Sequence, residues 1–398
     1  MAKVSLSFSG LTERLSGPRS NAWEVTNRAT QMERAGEEII HLGVGDPDFD
    51  TPPDIVDTAV NSLKSGRTHY SEIPGEPDLR SAIAEDLRNR TCASIDADRV
   101  NVFPGAQSAL FATLLCLAGP GDEIILLEPF YATYEGVARA GGANIVTVPL
   151  PAERHFDLDV ELIAQAVTAS TKVILANSPG NPTGAVFSRS SWESLVRLCV
   201  DRGIWLVSDE VYANLVFDGE YYSPFSLPGA DSNVVVVSSV SKSHAMTGWR
   251  LGWTIAPTTL SAHLDNLSQC LLFGVSQFTQ DAAAFALRHS DVSVAAMKGA
   301  FHRRRDVLCD ALSDIEGIVV HKPAGGMFVM VDVSGLGCDG ASFANGLLDH
   351  GGVAVVPGFA FGDSTKNFVR IGYLVDESQL KEAADKIRDF ASSLSVDI

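Results

Sequence analysis

Val234-Val-Val-Val-Ser-Ser-Val-Ser-Lys-Ser-His-Ala-Met-Thr-Gly-Trp-Arg250 begins as an uninterrupted apolar strand, then turns into hydroxyls, one amine and a guanidinium. Similar apolar runs bounded by Gly, Pro or Asn recur along the chain at Glu123 to Leu127, Ile145 to Val148, Val173 to Ala176, Trp205 to Ser208 and Trp253 to Ile255. Helix-length segments separate most of them. The pattern predicts an α/β fold, a mostly parallel sheet sandwiched between helices. In such sheets ligands bind beyond the carboxyl ends of the strands. Three chemically loaded segments fall at that edge: Asn177 to Gly184 after one strand, Asp209 after the next and Lys242 after the third. Beyond about residue 295 the pattern changes. A long helix (Ala296 to Leu312), apolar strands near Val319 and at Met327 to Val331, and further helices predict a smaller α+β domain.

A lysine amine becomes a nucleophile toward aldehydes when burial or a nearby cation lowers its pKa, and Arg250 can be that cation for Lys242. An amine beside a phosphate clamp suits pyridoxal 5'-phosphate, an aldehyde that acts as an electron sink. Ser239-Val-Ser-Lys242 also spells the S-x-x-K of serine acylases, but their S-D-N and K-T-G companions are absent. Pro104-Gly-Ala-Gln-Ser108 opens an apolar helix whose first N–H groups form an anion site. Asp209, in Ser208-Asp-Glu210, is a carboxylate in need of a partner, either a protonated ring nitrogen or merely a helix start. Arg370, in Phe368-Val-Arg-Ile-Gly372, is a charge among apolar residues, suited to a bidentate grip on a carboxylate or to a structural salt bridge.

At 398 residues and 45% hydrophobic, the chain has material for two folded domains. No apolar stretch approaches the roughly 18 residues a membrane span needs, and the N-terminus lacks a signal-like apolar region, so a cytoplasmic protein is expected. Six cysteines without a C-x-x-C pair suggest reduced thiols used as small hydrophobes, with neither disulfide nor metal site. A net charge of −19 disfavours nucleic acid and anionic lipid as partners. The basic triplet Arg303-Arg-Arg305 reads as the solvated face of a helix.

Ser239-Val-Ser-Lys-Ser-His-Ala-Met-Thr-Gly-Trp-Arg-Leu-Gly-Trp253 resembles the cofactor-lysine segment of class I/II pyridoxal-phosphate-dependent aminotransferases, which have fold type I. Gly45-Asp-Pro-Asp-Phe49, Asn177-Ser-Pro-Gly-Asn-Pro-Thr-Gly184, Val207-Ser-Asp-Glu-Val-Tyr212, Val356-Pro-Gly-Phe-Ala-Phe-Gly362 and Phe368-Val-Arg-Ile-Gly372 match the same family in order, so the resemblance runs from about residue 20 to residue 390. It implies a transaminase with ping-pong kinetics, a large cofactor domain at 49–294, and a small domain formed by 1–48 and 295–398. Lys242 would carry the cofactor and shuttle the donor's α-proton. Gly105, Ala106, Gln107, Ser239 and Arg250 would form the phosphate cup; relatives often carry Lys or Thr in place of Gln107, so only its backbone role carries over. Asp209 would face the pyridinium nitrogen, Tyr212 and Asn181 the ring oxygen, and Tyr131 would stack on the ring. Tyr70 would reach the phosphate of a neighbouring subunit, which requires at least a homodimer with shared active sites. Arg370, with Asn181 and the backbone of Gly45, would hold the α-carboxylate of amino-acid and 2-oxo-acid substrates.

Within the family the sequence is most similar to arginine:pyruvate transaminases, notably at Gly105-Ala-Gln107, His263-Leu-Asp-Asn-Leu267 and Gly325-Gly-Met-Phe-Val-Met-Val-Asp332. A cationic substrate side chain needs a counterpart, and Glu24, in Ala22-Trp-Glu-Val25, is nominated for that role, with ordinary helix surface as its alternative. Aspartate or aromatic amino-acid transamination is the alternative, followed by a β-lyase. A regulator built on a degenerate aminotransferase domain would need a DNA-binding domain for which this acidic chain has no room.

Overall fold

The computed structural model describes residues 7–15, 19, 22–91 and 93–395. Its strands are β1 (Ile40–His41), β2 (Val100–Phe103), β3 (Glu123–Glu128), β4 (Asn144–Pro149), β5 (Thr171–Asn177), β6 (Trp205–Asp209), β7 (Val234–Ser239), β8 (Gly252–Ile255), β9 (Val319–His321), β10 (Phe328–Asp332), β11 (Val353–Ala354), β12 (Val356–Pro357) and β13 (Phe368–Gly372). Seven of them form the main sheet in the order β2-β8-β7-β6-β5-β3-β4. Every residue of β7 is buried, as expected of a central strand covered on both faces. All pairings are parallel except those of β8, which runs antiparallel to both β7 and β2.

This topology collects the site. β5, β6 and β7 are parallel neighbours, so the segments following Asn177, Asp209 and Ser239 emerge side by side, with Asn177 directly paired to Asp209. Because β8 is reversed, it begins where its neighbours end, and Gly252 pairs with both Ser239 and Phe103. That register brings Arg250 beside the end of β7 and beside the turn from β2 into the helix Ala106–Leu117. The run Val100–Phe103 was not singled out as a strand from sequence because the polar Asn101 interrupts its apolar character.

A second, four-stranded antiparallel sheet, β12-β13-β10-β9, places Arg370 opposite Met330 and Val356. The N-terminal β1 pairs in parallel with β11, tying residues 40–41 to this part of the chain. One apolar cluster fills the space between this sheet, the helix Asp291–Leu312 and the helix Glu377–Ser395. Residue 295 lies inside the continuous helix Asp291–Leu312, so the change of pattern there is a helix crossing rather than a linker.

The basic triplet corrects one expectation. Arg303 is exposed, but Arg304 ion-pairs with Asp48 at 2.7 Å and lies over the Phe49 and Phe301 rings. Arg305 is buried, held by Asp218, Asp306 and the Pro323 carbonyl. Helical spacing turns the third residue of the triplet inward, where a guanidinium persists only with carboxylate partners. Cys199 and Cys309 are buried free thiols and Cys116 and Cys338 half-buried, whereas Cys270 is exposed and departs from the expected small-hydrophobe role. Cys92 lies outside the described residues. No helix among the described residues is long and apolar enough to cross a membrane.

Candidate active site

At the carboxyl edge of the main sheet lies a cavity of about 370 Å³. Among its lining residues are Gly45, Gln107, Tyr131, Asn181, Asp209, Tyr212, Ser239, Lys242, Arg250 and Arg370. Lys242 is half-buried, and its Nζ donates to the Gly45 carbonyl. Burial lowers its pKa to about 8; Asp46 opposes the shift, while Arg250 and Arg370 add to it. The amine is therefore about a tenth unprotonated at pH 7 and mostly unprotonated above pH 8, far more than an ordinary lysine, as a nucleophile or base needs.

Gly105 sits at the cap of the helix Ala106–Leu117 with φ of 85°, a conformation open to glycine at little cost. A Cβ there would lie 2.3 Å from Nη2 of Arg250, so the missing side chain is what lets the guanidinium reach the helix N-terminus. Arg250 itself has φ of 52° and donates to the Thr247 carbonyl at 2.7 Å. Ser239 completes this end of the cavity. Backbone N–H groups, a hydroxyl and a guanidinium together form a set of donors for a multiply charged anion.

Asp209 ends β6 and is buried. Burial raises its pKa to about 6 even though it accepts hydrogen bonds from Tyr134 Oη (2.6 Å) and the Val211 N–H (3.1 Å). Such a carboxylate gains from any cation placed beside it.

Arg370 is the other unusual charge. Its Nη1 donates to Asn181 Oδ1 at 2.8 Å and its Nη2 to the Gly43 carbonyl at 2.6 Å, while its buried Nε has no partner. The Phe328 and Phe361 rings flank the guanidinium, with centroids 3.9 and 4.8 Å away. It has no carboxylate neighbour in the ion pairs of the described residues, and burial drops its pKa to about 10. A salt-bridge role for Arg370 is thereby excluded within the described chain. Isolated buried cations are costly and are retained where a ligand completes them. Asn181 also donates to Tyr212 Oη at 3.4 Å, linking the guanidinium to a buried tyrosine whose pKa is driven well upward by burial.

A family model for aminotransferase class I and II matches residues 37–387. The chain belongs to this family of aminotransferases. Such aminotransferases depend on pyridoxal 5'-phosphate, and this one is a transaminase. It is 46% identical to an arginine–pyruvate transaminase of Pseudomonas aeruginosa over 97% of the chain and 98% of that protein. It is 36% identical to a probable aspartate/prephenate aminotransferase of Aquifex aeolicus over 95% of the chain and 98% of that protein. The aspartate aminotransferase of Thermus thermophilus solved with maleate superposes with a TM-score of 0.92 at 32% identity, covering 97% of the chain and all of that structure.

Of the residues expected at the site of this aminotransferase, Gly105 caps the helix without itself lining the cavity, and Glu24 and Tyr70 lie outside it. Glu24 is exposed on the first turn of the helix Glu24–Arg34, and its neighbour Trp23 lines the cavity instead. One position along a helix start rotates the side chain by about a quarter turn, which is enough to exchange inside for outside. Tyr70 is 79% exposed and packs edge-on against Phe273 with centroids 5.1 Å apart. Gln107 lines the cavity, and its Oε1 accepts from Thr133 Oγ1 at 3.1 Å. Tyr134 and Phe328 were not foreseen. Tyr134 comes three residues after Tyr131, the two rings meet edge-on at 5.8 Å, and that short spacing was the available signal.

Proposed function

We propose that this aminotransferase binds pyridoxal 5'-phosphate through Lys242 and moves the α-amino group of L-arginine to pyruvate in a ping-pong cycle. The chemistry rests on one observation: an amine of lowered pKa and a buried, carboxylate-free guanidinium line the same cavity. The substrate pair is taken from the 46% identical relative.

When bound, the cofactor supplies an aldehyde for capture of an amine and a ring that accepts the electrons released at the donor's α-carbon. The donor set fits it. The N-terminus of the helix at Gly105, Ala106 and Gln107, together with Ser239 and Arg250, holds the phosphate. Asp209 keeps the ring nitrogen protonated, Tyr212 and Asn181 hydrogen-bond the ring oxygen, and Tyr131 covers the ring. Arg370 takes the α-carboxylate, its free Nε–H and its Nη groups presenting a planar fork to the two oxygens. The Gly45 carbonyl orients the Lys242 amine, whose Nζ would take the proton from the donor's α-carbon and pass it on rather than back. Exposed Tyr70 serves the second site of a cytoplasmic homodimer, and the division at residues 49–294 separates the cofactor-binding part from the remainder.

Two results follow. Capture of pyridoxal 5'-phosphate by the cofactor-free protein needs the unprotonated amine, so its second-order rate rises tenfold per pH unit below about pH 8 and levels above it. Stopped-flow absorbance reads this rate, and a flat profile from pH 6 to 9 contradicts the role. Tyr134→Phe removes a hydrogen bond that lowers the Asp209 pKa, so that pKa moves upward and the acid limb of kcat/KM shifts to higher pH. Hydrogen bonds to charged groups are worth about 1.5–3 kcal/mol, which carries the acid limb across neutrality, so activity at pH 7 falls roughly 2- to 15-fold. An unmoved acid limb removes Tyr134 from the Asp209 site.

The substrate assignment is tested by adding single amino acids to the loaded enzyme and following loss of the cofactor absorbance. Bleaching by L-arginine and recovery on adding pyruvate are expected. A response confined to aspartate, glutamate or aromatic donors leaves a transaminase but discards arginine; ammonia release without amino transfer to pyruvate indicates a β-lyase.

A further inference from the structure

The cavity's charges are all committed. Its lining includes three cations, Lys242, Arg250 and Arg370, and one anion, Asp209. On the proposed reading these serve the amine, the phosphate, the α-carboxylate and the ring nitrogen. Among the described lining residues no carboxylate is left over for a cationic side chain, and no cation for a second carboxylate. Glu24, the expected counter-charge, faces outward.

A large aromatic surface remains. Trp23 is half-buried at the cap of the helix Glu24–Arg34, lines the cavity, and packs against the cluster of Ala22, Val356, Ala360 and Phe361. Phe361 is one of the two rings flanking the Arg370 guanidinium, so the indole is anchored on the same cluster as the carboxylate clamp. Val44, also in the lining, lies between Gly43, whose carbonyl Arg370 holds, and Gly45, whose carbonyl Lys242 holds. On that reading a donor would span from Arg370 to Lys242 across the segment that carries Val44. The uncharged part of the same cavity lining, Trp23 included, is what remains to meet its side chain.

We infer that Trp23 is the specificity-determining residue for the donor side chain, accepting a guanidinium or ammonium group against its indole face in place of a carboxylate counter-ion. The indole is the strongest side-chain partner for a cation by ring quadrupole, and its apolar surface also receives the methylenes that precede the charge. Among the described lining residues this wall offers a second carboxylate no partner. This inference rests on the basic-donor reading given above.

The test is equilibrium binding to the loaded enzyme of 5-guanidinopentanoate, which is arginine without its α-amino group, compared with octanoate, a carboxylate with an uncharged chain of similar length. Trp23→Leu is expected to weaken the guanidino ligand roughly 2- to 30-fold, with octanoate changed much less and Trp23→Phe intermediate. Glu24→Gln is expected to leave both ligands unchanged. Equal weakening of both ligands in Trp23→Leu reduces Trp23 to a packing residue, and loss of guanidino binding in Glu24→Gln returns the role to the carboxylate. Either outcome overturns the inference. Failure of the wild-type enzyme to use any basic donor overturns the substrate assignment as well, and it is seen without any variant.

Discussion

Lys242→Ala is expected to lose about 10²- to 10⁴-fold in kcat, in line with removal of a positioned group that transfers a proton. The lost group also supplies the amine that captures the cofactor, so two functions disappear with one side chain. Its contribution to the fold is small by comparison. Lys242 is half-buried, its single hydrogen bond in the structure is to the Gly45 carbonyl, and its burial as an amine of lowered pKa is itself unfavourable to the charged form. The variant should therefore fold with an unchanged near-ultraviolet spectrum, and a soluble amine such as methylamine should restore part of the rate. Lys242→Arg keeps the positive charge but stays protonated at every working pH, so it should be as inactive as the alanine variant. Retention of transamination by either variant removes Lys242 from the chemistry.

Arg370→Leu has the second-largest expected effect. Truncating one partner of a buried charge pair costs about 2–5 kcal/mol, which corresponds to roughly 30- to 4,000-fold in kcat/KM. The amino-acid donor and the 2-oxo-acid acceptor both carry the carboxylate that Arg370 is proposed to hold, so KM should rise in both half-reactions. A pocket that read only the side chain would affect one of them. Arg370→Lys retains a cation between Phe328 and Phe361 but loses the planar fork that reaches Asn181 and Gly43. It should recover a minor part of the loss. Steady-state kinetics with donor and acceptor varied in turn measures both variants, and an effect on one substrate alone contradicts the clamp.

Much of this was readable in the sequence because the relevant signals are local. Four consecutive valines from Val234 and the short apolar runs before Asn177 and Asp209, bounded by Gly, Pro or Asn, read as buried strands, and the residues that follow them then share an edge. Arg370 stood out because a charge inside Phe-Val-Arg-Ile-Gly needs a reason. Signals that depend on rotation about a helix, or on a contact with a distant part of the chain, were not readable. Glu24 and Trp23 differ by one position, and only the docking of their helix decides which faces the cavity. Arg305 looked solvated until Asp218, 87 residues earlier in the chain, was found against it. The antiparallel course of β8, which sets Arg250 against Gly105, follows from strand order rather than from the composition of the strand.

The most direct test of the central claim is borohydride reduction of the enzyme loaded with pyridoxal 5'-phosphate, followed by peptide mapping by mass spectrometry. The expected result is one phosphopyridoxyl group per chain, on Lys242 in the peptide containing Ser241-Lys-Ser-His-Ala-Met246. Labelling at a different lysine, or no labelling of a protein that nevertheless transaminates, would contradict the account.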